Sequence, residues 1–144
     1  MSHVTVIPAS TVAGKATIRA LLASALSPTV RGIYRDPKKA PAEFTQNPRF
    51  EVAKGDVGGS DDLDFSSSGA VFYVPPPTYD GRDTAAFATQ AATNVGNALQ
   101  RAGVKRLVLH SALGGQYDRG IVSLRNGVGP WPVLTCNLNL PRAF

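Results

Sequence analysis

The residues best placed to do chemistry lie early in the chain, within VTVIPASTVAGKATIRALL (residues 4–22). An apolar run, Val4-Thr5-Val6-Ile7, enters a loop holding Pro8, Ser10 and Thr11, which ends at Gly14 and opens into a helical pattern. A small-residue loop lets backbone approach a phosphate, and a helix N-terminus offers unpaired N–H donors and a partial positive charge. The Ser10 and Thr11 hydroxyls can add donors, and Gly14 permits close helix packing; the bland alternative is that Gly14 serves loop geometry alone. A second group follows the next apolar run. There Arg35, with Lys38 and Lys39 close behind, offers a guanidinium able to pair a phosphate in a fork, or else a solvated surface arginine. Asp56, after a third run, is equally a ligand contact or a turn aspartate.

These groups need a scaffold that brings separate loops to one place, and the hydrophobic pattern supplies one. Strands are expected at about 4–8, 30–34, 50–54, 70–74 and 107–109. Ala70–Val74 is continuously apolar, as in a strand buried on both faces. Ile18, Leu21, Leu22 and Ala25 make the apolar face of a first helix. Asp36 is placed to cap a short helix starting at Pro37, and residues 60–67 are expected to add a turn or two of helix. A long helix is expected over 84–102, with Asp83 at its start, Arg101 near its end and Gly103 just beyond. Its apolar face is Ala88, Ala91, Ala92, Val95, Ala98, Leu99 and Ala102.

Strands alternating with helices imply an α/β fold, a Rossmann-like doubly wound parallel sheet in the order 3-2-1-4-5. Ligands of such sheets sit beyond the carboxyl ends of the strands, at the switch between strands one and four. The segments 8–14, 34–36, 55–57, 74–77 and 110–115 should face that place, which brings Val74 and Pro75 into the candidate set.

The chain has 144 residues, enough for one domain with a sizeable core. Its net charge is +5, but the basic residues are scattered, which argues against a nucleic-acid surface. A single cysteine, Cys136, excludes an intrachain disulfide and a Cys-rich metal site. Together with the lack of a secretory pattern and of any membrane-length apolar run, it points to an intracellular, cytoplasmic or nuclear, setting.

Taken together, VIPASTVAG, YRDPKKAP, KGDV, AVFYVPPPTYDG and GVKRLVLHSALGGQYDRG resemble the NmrA-like branch of the short-chain dehydrogenase superfamily. The order and spacing of these five segments carry the resemblance, over residues 4 to about 120. It implies an NAD(P) cofactor, and either a reductase or a non-catalytic, cofactor-sensing regulator with a protein partner. The implied cofactor contacts are Pro8, Ser10, Thr11, Gly14, Arg35, Asp56, Val74 and Pro75. An acidic residue near the end of strand two usually holds the ribose hydroxyls of NAD; Arg35 stands there instead and favours the 2′-phosphate of NADP.

Two departures within the matching region qualify the resemblance. The family's G-x-x-G-x-x-G aligns with Pro8, Thr11 and Gly14, so only the last glycine is present, and Thr11 carries a side chain where backbone should approach phosphate. The Tyr-x-x-x-Lys pair of the superfamily's reductases is absent after strand five. Tyr34 and Lys38 have its spacing but sit at the adenosine side, and the match is taken as chance. Ser111 and Tyr117 remain as candidate catalytic groups, against the bland readings of a strand-end hydroxyl and a surface tyrosine. His110 reads as a packed or surface histidine, with Asp118 the conceivable carboxylate beside it.

The resemblance stops near Gly120. Residues 121–144 read as a divergent, poorly packed tail after a domain spanning 1–120, and their truncation would leave strand five with an uncovered apolar edge. The expected function is therefore NADP(H) binding without turnover. The alternatives are an NADP-dependent reductase of a small organic substrate and an inactive fragment.

Overall fold

The computed structural model describes residues 2–59, 63–76, 78–110 and 133–135. Six parallel strands form one sheet: β1 (His3–Ile7), β2 (Thr29–Tyr34), β3 (Phe50–Lys54), β4 (Ala70–Tyr73), β5 (Leu107–Leu109) and β6 (Val133–Thr135), in the order β3-β2-β1-β4-β5-β6. The expected order of the first five holds. β6 adds to the outer side of β5, with Leu107 opposite Val133, so the edge expected to be uncovered is paired. The remainder of the tail lies outside the described residues.

Alternation along the strands sends neighbours to opposite faces. Val6, Val30 and Tyr34 pack with Ile18 of helix α1 (Val12–Ala23) and with Phe44 of the short helix α2 (Ala42–Thr45). Ile7, Ile33, Val71, Tyr73, Leu107 and Leu109 face the other way, onto helix α3 (Thr84–Ala102). Both faces are thus covered, which is why β4 is apolar throughout. α3 buries Ala91, Ala92, Val95, Ala98 and Leu99, the face expected from its period. Asp83 caps it, accepting from the N–H groups of Ala85 and Ala86 at 2.9 and 3.0 Å, and Gly103 ends it with φ 65°. Ala25 lies beyond the end of α1 and is exposed.

Two local expectations need correction. Of the helix expected over 60–67, residues 60–62 lie outside the described residues and 63–67 contain none; this stretch is held to the sheet by the buried Thr5–Ser68 hydroxyl pair at 2.7 Å and by Arg31, whose Nη1 donates to the Ser66 carbonyl at 3.0 Å. α1 begins at Val12, two residues before Gly14, because Thr11 provides its cap.

The register sets the strand ends level. Ile7 lies opposite Tyr73, Tyr34 opposite Lys54, and Tyr73 opposite Leu109. The ladders then run one step further into the loops: Ala9 N donates to Ile33 O, Gly55 N to Tyr34 O, Val74 N to Ile7 O and His110 N to Tyr73 O, at 2.9 to 3.0 Å. The loops after β1, β2, β3 and β4 therefore leave the sheet along one edge.

Candidate functional site

A cleft of about 530 Å³ opens where those loops meet. Pro8, Ser10 and Thr11 line it from β1, Arg35 from β2, and Gly55, Asp56 and Val57 from β3. Pro76, Thr78, Tyr79, Asp80 and Arg82 line it from the segment after β4, and Phe87 from the start of α3. The structure thus brings together five of the expected contacts: Pro8, Ser10, Thr11, Arg35 and Asp56.

The remaining expected residues stand elsewhere. Gly14 is buried behind the loop, and its role is steric. A Cβ there would lie 2.6 Å from the Pro8 carbonyl oxygen and 2.8 Å from Thr11 Oγ1. Val74 is buried and bound into the ladder by its N–H, and Pro75 beside it does not line the cleft either; Pro76 takes the place expected of them. Ser111, Tyr117 and Asp118 lie outside the described residues. His110 is half-buried with its ring 6.1 Å from that of Phe72, a packed histidine as expected.

The Tyr34–Lys38 spacing is indeed incidental. Tyr34 is buried in the α1 and α2 core, whereas Lys38 is exposed on a 3₁₀ turn, Pro37–Lys39. Loss of hydration, helped by nearby Glu43, pushes the Tyr34 hydroxyl up to about 12, far from the range of an acid–base catalyst.

Thr11 does something that spacing does not reveal. Its hydroxyl donates to the Pro8 carbonyl at 3.1 Å and accepts from Gly14 N–H at 2.9 Å. Both bonds are local, and they close the loop onto the first turn of the helix. For the Thr11 hydroxyl to donate to a ligand phosphate, as expected, its bond to the Pro8 carbonyl would have to give way. The helix still presents the N–H groups of Val12 and Ala13, which have no partner within the helix.

At the end of β2, Asp36 turns back to accept from Lys38 N–H at 3.1 Å, capping the 3₁₀ turn. The acidic side chain nearest Arg35 in sequence is therefore engaged. Arg35 is exposed, lines the cleft, and has no ion-pair partner among the described residues. Asp56 shapes its own loop, accepting from Gly58 N–H at 3.0 Å. Asn94 of α3 ties the same loop down, donating from Nδ2 to the carbonyls of Val57 and Gly59, each at 3.0 Å.

Sequence reasoning missed the wall formed by Tyr79, Asp80, Arg82 and Phe87. Asp80 and Arg82 form a bidentate pair, with Nε of Arg82 2.9 and 2.8 Å from the two carboxylate oxygens. The guanidinium lies 5.0 Å from the centre of the Phe87 ring. Hydrogen bonding to Arg82 holds the Asp80 carboxyl below the usual carboxylate range, and Asp80 in turn raises Arg82. The one signal available in sequence was the density of charged and aromatic residues between the prolines and the helix cap. No cluster able to hold a metal ion occurs among the described residues, nor any helix long and apolar enough to cross a membrane.

A family model described as NAD(P)H-binding matches residues 9–131. Solved structures share the fold at low identity. Triphenylmethane reductase from Citrobacter sp., complexed with NADP(H), is 23% identical with a TM-score of 0.68, over 86% of this chain and 41% of that one. A short-chain dehydrogenase/reductase from Veillonella parvula, in complex with NADP, is 17% identical with a TM-score of 0.65, over 78% and 48%. A nucleoside-diphosphate-sugar epimerase from Staphylococcus aureus is 15% identical with a TM-score of 0.61, over 77% and 38%. The chain thus spans less than half the length of each of these. No curated protein matches it.

Proposed function

This chain belongs to the NAD(P)H-binding family, and on that premise we propose that its cleft binds NADP(H) in preference to NAD(H), without turnover by this chain. The proposed role is that of an NmrA-like, cofactor-sensing module acting through a protein partner. The observation that carries the preference is the end of β2. Arg35 lines the cleft there, and the neighbouring Asp36 is drawn away as a cap. A guanidinium in that place suits a 2′-phosphate, whereas ribose hydroxyls call for a carboxylate. The cleft fits a dinucleotide in its placement and in the steric role of Gly14. Val12 and Ala13 N–H groups would face the diphosphate, Arg35 the 2′-phosphate and Asp56 the adenine end.

Thermal unfolding with NADPH, NADP⁺ and NADH tests this. Ligand at a hundred times its Kd should stabilise the fold by about 2.7 kcal/mol. NADPH should raise Tm well above the NADH value, and Arg35→Glu should remove the difference. Equal shifts with NADPH and NADH would refute the preference, and no shift with any nucleotide would refute binding.

A second reading, NADP-dependent reduction of a small organic substrate, draws support from the likeness to the Citrobacter reductase. It requires NADPH oxidation with a carbonyl or quinone panel, lost in Ser111→Ala or Tyr117→Phe.

A further inference from the structure

We propose that Arg82 is the second cationic contact for a bound dinucleotide, and that Asp80 competes with the ligand for it. This rests on the dinucleotide reading above and adds a residue pair to it. The charge lining the cleft motivates the idea. Arg35 and Arg82 are balanced there by Asp56 and Asp80, so the ionised side chains of the lining sum to zero. A dinucleotide is a polyanion, and the usual backbone source of positive potential is reduced here. Gly14 N–H, one of the donors of the first helical turn, is already bonded to Thr11 Oγ1 at 2.9 Å. The cation that can be released is Arg82.

Arg82 is half-exposed on the wall built from the segment after β4, and its guanidinium lies 5.0 Å from the centre of the Phe87 ring. Phe87 in turn sits against the β3 loop: a Cβ on Gly58 would lie 3.0 Å from the ring. The aromatic face gives Arg82 a contact on the cleft wall besides Asp80. Asp80 is a weak holder, because its ion pair is solvent-exposed and such pairs contribute little net stability. A phosphate offers the guanidinium the same forked acceptor geometry as a carboxylate, so it can take the place of Asp80. Arg82 is carried by the segment after β4 and rests, through Phe87, beside the β3 loop, whereas Arg35 stands at the end of β2, so the two guanidinium groups reach the cleft from separate elements. Arg35 reads the 2′-phosphate, and Arg82 meets the portion that NADPH and NADH share.

The test is equilibrium binding of NADPH and NADH to the full chain and its variants, with circular dichroism confirming that each is folded. Arg82→Ala should weaken both dinucleotides by a similar factor, about tenfold, whereas Arg35→Ala weakens NADPH alone. Asp80→Asn should tighten both by about two- to fivefold. The double variant separates a specific exchange from a general change of field: in the Arg82→Ala background, Asp80→Asn should have no effect. Unchanged binding in Arg82→Ala, a loss confined to NADPH, or an Asp80→Asn gain that persists without Arg82 would each overturn the proposal. Those results leave the dinucleotide reading intact. Failure of the unmodified chain to bind either dinucleotide overturns both.

Discussion

Gly14→Ala should destabilise the protein, although the same change in an ordinary helical turn stabilises it. Alanine in a helix is worth about 1 kcal/mol over glycine. Here the added Cβ would meet the Pro8 carbonyl oxygen at 2.6 Å, Thr11 Oγ1 at 2.8 Å and the Ala9 carbonyl oxygen at 3.1 Å. Two of these atoms are backbone, and the third is pinned by its bonds to Pro8 and Gly14 itself. None is the free end of a flexible chain, so the loop must shift as a unit. Overpacking of this kind costs about 1–3 kcal/mol, and the displaced loop also stretches the Thr11 cap, which is worth about 1 kcal/mol. Net of the helix gain, the loss should be about 1–3 kcal/mol, or about 3–9 °C in Tm for a chain of this size. Urea unfolding followed by circular dichroism measures it. Gly103→Ala is the control: nothing lies within 4 Å of its Cβ, and its cost of about 1–2 kcal/mol arises from φ 65° alone. A Gly14→Ala protein as stable as the parent, or more so, would refute the close packing of α1 on its loop.

Thr11→Gly should separate stability from ligand affinity: the fold loses a few tenths of a kcal/mol at the cap, while freed Gly14 N–H and backbone access tighten NADPH by about tenfold. Isothermal titration reads this, and unchanged affinity would mean that Gly14 N–H never meets the ligand. Alkaline pH should unfold the protein early. Burial pushes the Tyr34 hydroxyl up to about 12 from its ordinary value of 10, and burial pushes the Tyr73 hydroxyl up as well. Below pH 10 both states keep these protons; above it the unfolded chain releases them first, so stability falls as pH rises from 10 towards 12. Each tyrosine contributes a slope of at most about 1.4 kcal/mol per pH unit. Tyr34→Phe should flatten the urea midpoint over pH 10–12, and an unaltered slope would show that Tyr34 is not responsible.

What could be read from sequence was whatever depends on neighbours a few residues apart. The long helix over 84–102, its Asp83 cap and its Gly103 stop are local in origin, and they stand where expected. So does the 3₁₀ turn capped by Asp36. The strand order followed from the alternation of elements and the handedness of their crossovers. The loops that meet at the cleft followed from that order, which is why Pro8, Ser10, Thr11, Arg35 and Asp56 line it as the order implies.

The composition of the far wall depended on the tertiary structure. Arg82 and Phe87 belong to the cleft because α3 lies against the β3 loop, where Asn94 reaches the carbonyls of Val57 and Gly59 across more than thirty positions of chain. No period or cap encodes a contact of that range. Val74 sits away from the cleft for a related reason, since its N–H joins the ladder to Ile7 and its side chain is buried. The use of Thr11 was also decided in three dimensions. Hydroxyl chemistry is equally suited to a phosphate and to a backbone carbonyl, and the choice went to Pro8 because the loop brings its carbonyl to 3.1 Å. Sequence determines which partners a polar group can accept; the fold determines which one is near enough to take it.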